Sequence, residues 1–226
     1  MRKILFIDYD ETLHDTWSKF ALKLEGIYGL SARELMDAYL TVHRGTVHTQ
    51  YPGKHDDFFF HQKLLSDHLG KPYDENEARR MALSFKEAQE ACWTQPNFFP
   101  DTFNFLDKVK ERHILCLTSG DYAREKADAV EKAGGRSYFS YIFDHTHLGI
   151  KGSSAYFENA LMSTNSRPGD AVVIGDSLEH DVAAAKGAGI TAVWVNRRGM
   201  SPPGGLPAPD YEARDLYEVL RYLDGY

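Results

Sequence analysis

The sequence predicts an α/β fold in which a parallel-sheet core carries an all-helical insertion. Two observations predict it. Short aliphatic and β-branched runs without polar alternation recur between segments of helical period, as in strands covered on both faces and joined by helical crossovers. One interval, from about residue 14 to 99, breaks that rhythm with capping signals and no strand-like run. At 226 residues the chain has room for one compact body and a sizeable insert.

The first strand is Lys3–Ile7. In the insertion, Ser31–Glu34 and Asp74–Glu77 read as capping boxes, and Gly70 followed by Pro72 marks a helix end between them. About four helices are expected there. Thr12–Thr16 and Pro96–Pro100 serve as linkers, so residues 1–15 and 97–226 form the core and 16–96 the insertion. The core then continues with a helix at Asp101–Arg112, a strand at His113–Leu117, a helix at Asp121–Ala133, and a weaker strand at Tyr141–Phe143 leading into a loop at His145–Ile150. A helix at Ser153–Met162, a strand at Ala171–Ile174, a helix at Glu179–Ala188 and a strand at Thr191–Val195 follow. Pro202-Pro203-Gly204-Gly205, with Pro207 and Pro209, is a turn-rich connector. Ala213–Leu223 reads as a closing helix.

Hydrophobic residues make up 42% of the chain and charged residues 26%, as in a folded protein. Lys plus Arg number 26 against 33 Asp plus Glu, a net charge of −7 that argues against nucleic acid as the main partner. Cys92 and Cys116 suggest neither a disulfide framework nor a cysteine zinc site, and a reducing cytoplasm fits best. The apolar run Ile4–Ile7 is too short for a signal peptide or a membrane span, so no membrane association is expected. His43, His48, His55 and His61 in the insertion match no zinc spacing and read as solvent-facing or core-edge residues. Phe58-Phe59-Phe60 reads as insertion core or inner surface, Trp17 and His14 as possible lining of a site entrance, and Glu179 and His180 as solvated first-turn residues.

Chemistry-bearing residues gather at strand exits, where ligand sites of parallel sheets lie. The first strand opens into Asp8-Tyr9-Asp10-Glu11-Thr12, and in extended backbone Asp8 and Asp10 point to the same side. Gly175-Asp176, followed by Asp181, adds carboxylates at a second strand end. Neighbouring carboxylates repel unless a proton or cation lies between them, and hard oxygen donors suit Mg²⁺ beside phosphate. Thr118 can donate its hydroxyl, Ser119 and Gly120 offer amides at a helix opening, and Lys151 brings a full positive charge, a set suited to an anion. Taken singly, each has a plain alternative as an acidic turn, a helix cap or a surface lysine.

In this order the four motifs, Asp8-x-Asp10-x-Thr12, Thr118, Lys151 and Gly175-Asp176-x-x-x-x-Asp181, resemble those of the haloacid dehalogenase-like hydrolase superfamily. The resemblance covers Met1–Leu13 and Phe99 to about Gly199. It implies a Rossmann-like core with the insertion as a cap domain. It further implies Asp8 as nucleophile forming an aspartyl-phosphate, and Asp10 as general acid and base. Mg²⁺ would be held by the Asp8 and Asp176 carboxylates and the backbone carbonyl of Asp10. Thr118, Ser119 and Lys151 would bind the phosphoryl group, with Thr12 and Asp181 supporting from just outside. Ser119 and Gly152 stand where members often carry Asn and Pro, and since neither change removes a charge or a nucleophile, altered positioning of substrate contacts is expected rather than lost chemistry. Asp10 favours a phosphatase over a dehalogenase, because dehalogenase members lack an acid there. The expected activity is therefore Mg²⁺-dependent hydrolysis of a small phosphorylated metabolite. Phosphotransfer to a second sugar phosphate, or a catalytically idle regulatory protein on the same fold, are the alternatives.

Overall fold

The computed structural model describes residues 2–54, 57–202 and 204–225. His55 and Pro203 lie outside them. Contacts divide the chain into two compact units, Met1–Asp15 with Pro96–Tyr226, and Thr16–Gln95.

The first unit is a six-stranded parallel sheet in the order β3-β2-β1-β4-β5-β6. Its strands are β1 (Ile4–Asp8), β2 (Ile114–Thr118), β3 (Tyr141–Phe143), β4 (Ala171–Gly175), β5 (Thr191–Val195) and β6 (Tyr211–Ala213). β1 and β4 are buried at every position, which is why their sequences lack polar alternation. Phe6, Cys116, Val173 and Trp194 share one core cluster with Tyr156, Phe157 and Val182 from covering helices. By alternation Leu5, Ile7, Leu117 and Ile174 turn to the other face, where they are equally buried. The α/β class and the parallel sheet are thus as the sequence predicts.

The differences are local. β6 was not anticipated, because Tyr211-Glu212-Ala213 is a three-residue edge strand with a polar centre; Asn196 N–H donates to Ala213 O at 2.7 Å to hold it. The closing helix accordingly starts at Leu216, after an Asp215 cap. The expected helix at Glu179–Ala188 is instead a stretch of wide π turns, Leu178–Ala183, continued by a short α-helix, Ala184–Gly187. A one-turn helix, His145–Leu148, occupies the expected loop.

The second unit comprises α1 (Thr16–Leu24), α2 (Ala32–Val42), α3 (Phe58–His68) and α4 (Glu75–Thr94), with short helical turns between α2 and α3. Ser31 and Glu34 form a reciprocal capping box on α2. Asp74 caps α4 through the amides of Asn76 and Glu77, but the Glu77 carboxylate accepts from Tyr28 N–H at 2.9 Å instead of closing the box. Phe20, Tyr39 and Phe58 gather round Phe85, with ring centroids 4.6–5.5 Å away. His61 is fully buried against Tyr39, while His43, half-buried and stacked on Tyr39, sits at the core edge. Phe58 packs inward, whereas Phe59 is 46% exposed.

The chain leaves and re-enters the sheet unit through a paired neck. His14 bridges Phe98 in antiparallel fashion, Asp15 N–H donates to Asn97 O at 2.9 Å, and Phe99 N–H donates to Leu13 O at 3.1 Å. His14 is fully buried and stacked on Tyr9, so it belongs to this neck and does not line an entrance. Among the described residues no helix is long and apolar enough to cross a membrane.

Candidate active site

Three strand ends meet at Asp8. It closes β1 opposite Thr118 on β2, while Ile7 pairs with Ile174 on β4, one residue before Gly175 and two before Asp176. Asp8 is 6% exposed, and both carboxylate oxygens are held. Lys151 Nζ donates to Oδ1 at 2.6 Å, and Thr12 Oγ1 donates to Oδ2 at 3.1 Å. The loop after β1 is itself fixed by Arg197, which donates to Thr12 O at 2.8 Å, pairs with the buried Asp101 and lies over the Phe99 ring.

Lys151 reaches the strand ends from a loop between two left-handed glycines, Gly149 (φ 88°) and Gly152 (φ 124°). Besides Asp8 it pairs with Asp181 Oδ1 at 2.7 Å. A Cβ on Gly152 would lie 2.4 Å from His180 Nδ1, and the backbone there excludes proline's fixed φ. His180 Nδ1 in turn lies 3.1 Å from Lys151 O. The expectation of a solvated His180 is therefore overturned, while Glu179 is exposed. Reading the segment at the α-helical period misplaces residues that sit in wide π turns.

Asp181 is 1% exposed and presses on the end of β4, where a Cβ on Gly175 would come within 2.2 Å of its Cγ. Ser177 N–H donates to its Oδ2 at 3.0 Å. Asp8, Asp176 and Asp181 present carboxylate oxygens within 4.8 Å of one another. Asp176 is partly buried, and Trp194 Nε1–H donates to its carbonyl at 2.7 Å.

The electrostatics follow from three carboxylates facing one ammonium. Burial pushes the Asp8 carboxyl up to about 7, with Lys151 pulling it down and Asp181 and Asp10 pushing it further up. Asp176 is also raised well above its ordinary value, by burial first and then by Asp8 and Asp181. Burial alone would lower Lys151, but Asp181 and Asp8 hold it above the usual lysine value. A compact set of hard oxygen donors with excess negative charge fits a divalent cation such as Mg²⁺. The Thr118 hydroxyl is buried beside Asp8 and finds no hydrogen-bond partner among the described residues, which fits an incoming oxyanion.

Two sequence expectations are altered. Ser119 is fully buried; its N–H donates to Phe143 O at 3.0 Å and its hydroxyl to Asp121 O at 3.0 Å, so it presents no donor to an anion here. The helix it was expected to open begins at Ala123. Asp10, half-exposed, has its Oδ2 engaged by Lys126 Nζ at 2.6 Å, a residue that the motifs did not single out. Its signal was in the sequence: Lys126 interrupts the Ala123/Ala127/Val130 stripe, a cation on the face that the helix buries.

The chain is similar in sequence to phosphoserine phosphatase of Thermus thermophilus, 34% identical over 127 residues, covering 54% of this chain and 49% of that protein. It spans about half the length of the curated relatives it matches in this way. In structure it is similar to the magnesium-bound HAD-hydrolase YfnB of Bacillus subtilis, with TM-score 0.72 and 20% identity, covering 99% of both chains. It is likewise similar in fold to L-2-haloacid dehalogenase of Xanthobacter autotrophicus, with TM-score 0.72 and 16% identity over 100% of this chain and 99% of that one. A family model for haloacid dehalogenase-like hydrolases matches residues 55–195, and with more than half its length inside that match the chain belongs to this hydrolase family.

Proposed function

We propose that the protein is a Mg²⁺-dependent phosphatase that cleaves a small phosphate monoester through an aspartyl-phosphate on Asp8. The observation that carries this reading is Asp8 itself, clamped between Lys151 and Thr12 beside the orphan hydroxyl of Thr118. Asp8 attacks phosphorus, forming the Asp8–phosphorus bond as the ester oxygen–phosphorus bond breaks. Thr118 and Lys151 hold the phosphoryl oxygens. Asp10 protonates the leaving alkoxide, then takes a proton from the water that releases phosphate from Asp8. Mg²⁺ would be held by the Asp8 and Asp176 carboxylates and the Asp10 carbonyl, and when bound it shields the attacking carboxylate from the phosphoryl charge. Asp181 steadies Lys151 from behind. The resemblance gives Thr16–Gln95 the part of the family's cap domain.

The phosphatase named among the relatives and the magnesium held by the B. subtilis neighbour support this reading. The dehalogenase neighbour shares only the fold, and carbon–halogen cleavage gives Asp10 no leaving group to protonate.

Turnover of p-nitrophenyl phosphate and of a panel of phosphate monoesters, with Mg²⁺ and with excess EDTA, tests it. Activity is expected only with the metal, and Asp8→Asn is expected to lose at least ~10³-fold in kcat. Undiminished turnover in chelator would sink the metal assignment. Near-normal turnover by Asp8→Asn would sink the nucleophile.

A further inference from the structure

Lys126 is 5% exposed, on the buried face of the helix Ala123–Gly134. A buried ammonium is costly unless it is paired and hydrogen-bonded, and a nonpolar residue of similar length would suit this face better for stability alone. Its partners are at the site. Nζ donates to Asp10 Oδ2 at 2.6 Å and to Ser119 Oγ at 2.8 Å, and lies 5.4 Å from the centroid of the Tyr9 ring. Ser119 is fixed in turn through its hydroxyl bond to Asp121 O. Lys126 therefore ties the loop after β1 to the loop after β2, next to Thr118.

Asp10 needs such a tie. Its side chain is 36% exposed, it follows the fully buried Tyr9 and precedes Glu11, which is held in the left-handed region at φ 57°. A carboxylate so exposed, with two rotatable bonds, samples several directions unless a fixed donor selects one. Proton transfer to a leaving oxygen depends on that direction, and small misplacements are costly in rate.

We propose that Lys126 is a positioning residue for this reaction: it fixes the direction of the Asp10 carboxylate, and its effect on rate runs through Asp10 alone. The inference rests on the reading of Asp10 as general acid and base. It differs from the role of Lys151, which faces Asp8 and the anion.

Leaving-group selectivity tests it in the full chain. Rapid-quench measurement of the first step, with Mg²⁺, compares p-nitrophenyl phosphate with phenyl phosphate, whose leaving group depends more on a proton. Lys126→Met is expected to slow phenyl phosphate ~10–100-fold and p-nitrophenyl phosphate less than ~3-fold, with KM for both changed less than ~3-fold. Added to Asp10→Asn, which should show the same selectivity, Lys126→Met should cost less than ~2-fold more. Lys126→Gln, which keeps a donor, should fall between wild type and Lys126→Met, and serves in its place if that variant does not fold. Equal slowing of both esters by a folded variant, or a full multiplicative loss on top of Asp10→Asn, overturns the inference alone. An unselective Asp10→Asn overturns the reading of Asp10 and this inference with it.

Discussion

Asp8 carries a charge problem that sets how the protein responds to pH. Its carboxyl is raised by burial from 3.8 to about 7, so in the metal-free protein it keeps a proton that the unfolded chain has already released. A folded state that binds more protons than the unfolded one loses stability as pH rises through that window, the reverse of a salt-bridged carboxylate. Asp8→Asn stays neutral throughout. In EDTA this variant is expected to gain stability relative to wild type from about pH 4 to about pH 7, with excess Mg²⁺ narrowing the difference. Denaturation midpoints at several pH values check this, and a gap that does not vary with pH would show that Lys151 alone compensates the buried charge. Taking the difference between variants also cancels the opposite contribution of His113, whose depressed value makes the folded state gain stability as pH rises. At this scale the strand-end residues Asp8, Thr118 and Asp176 were legible, because each closes or follows a hydrophobic run, and Lys151 was legible from the ordered motif pattern. Lys126 carries only a faint signal, its place within the Ala123/Ala127/Val130 stripe, because a lone lysine among alanines reads as surface until the helix is placed against the sheet.

The elements near the site are built around close approaches that side-chain volume decides. Asp181 seats against β4 only because Gly175 has no Cβ; one there would fall 2.2 Å from Asp181 Cγ. Gly175→Ala is expected to displace Asp181 from Lys151, lowering kcat/KM ~10–100-fold and stability by about 1–3 kcal/mol. Gly169→Ala, whose added Cβ meets nothing within 4 Å, is the control and should leave kcat/KM unchanged. Steady-state kinetics with thermal melts compare the two, and a fully active Gly175→Ala would mean that Asp181 is dispensable. The same stretch shows where periodicity fails as a guide. β1, β2, β4 and β5 were readable as uninterrupted apolar runs, but the π turns at Leu178–Ala183 follow a wider period and so hid the inward His180. The edge strand Tyr211–Ala213 was hidden by its brevity and by Glu212, whose carboxylate accepts from Asn196 Nδ2 at 2.7 Å instead of facing water alone.

For the molecule as a whole, the paired neck at His14 and Phe98 means that the sheet unit closes on itself without the insertion. Replacing Thr16–Gln95 by a short Gly-Ser linker is expected to leave a folded sheet unit that still binds Mg²⁺ and turns over p-nitrophenyl phosphate slowly, with its preference among phosphate esters reduced. Circular dichroism, metal titration and the ester panel measure each part; loss of the fold would mean that the insertion is structural. Capping signals and the gap between strand runs point to a helical insertion, and contacts group Thr16–Gln95 as a separate helical unit, whereas no motif there names a ligand. The sheet order has a consequence in time. β1 is the central strand of the site, yet both of its neighbours come from far along the chain, and Lys151 meets Asp8 across 143 residues. Contacts of such long range form late. On the ribosome the proposed nucleophile emerges long before Lys151, Asp176 and Asp181, so a growing chain holds the reactive carboxylate without the cation, the metal ligands or the neighbouring strand that would arm it. Topology thus delays the chemistry until synthesis has passed β4.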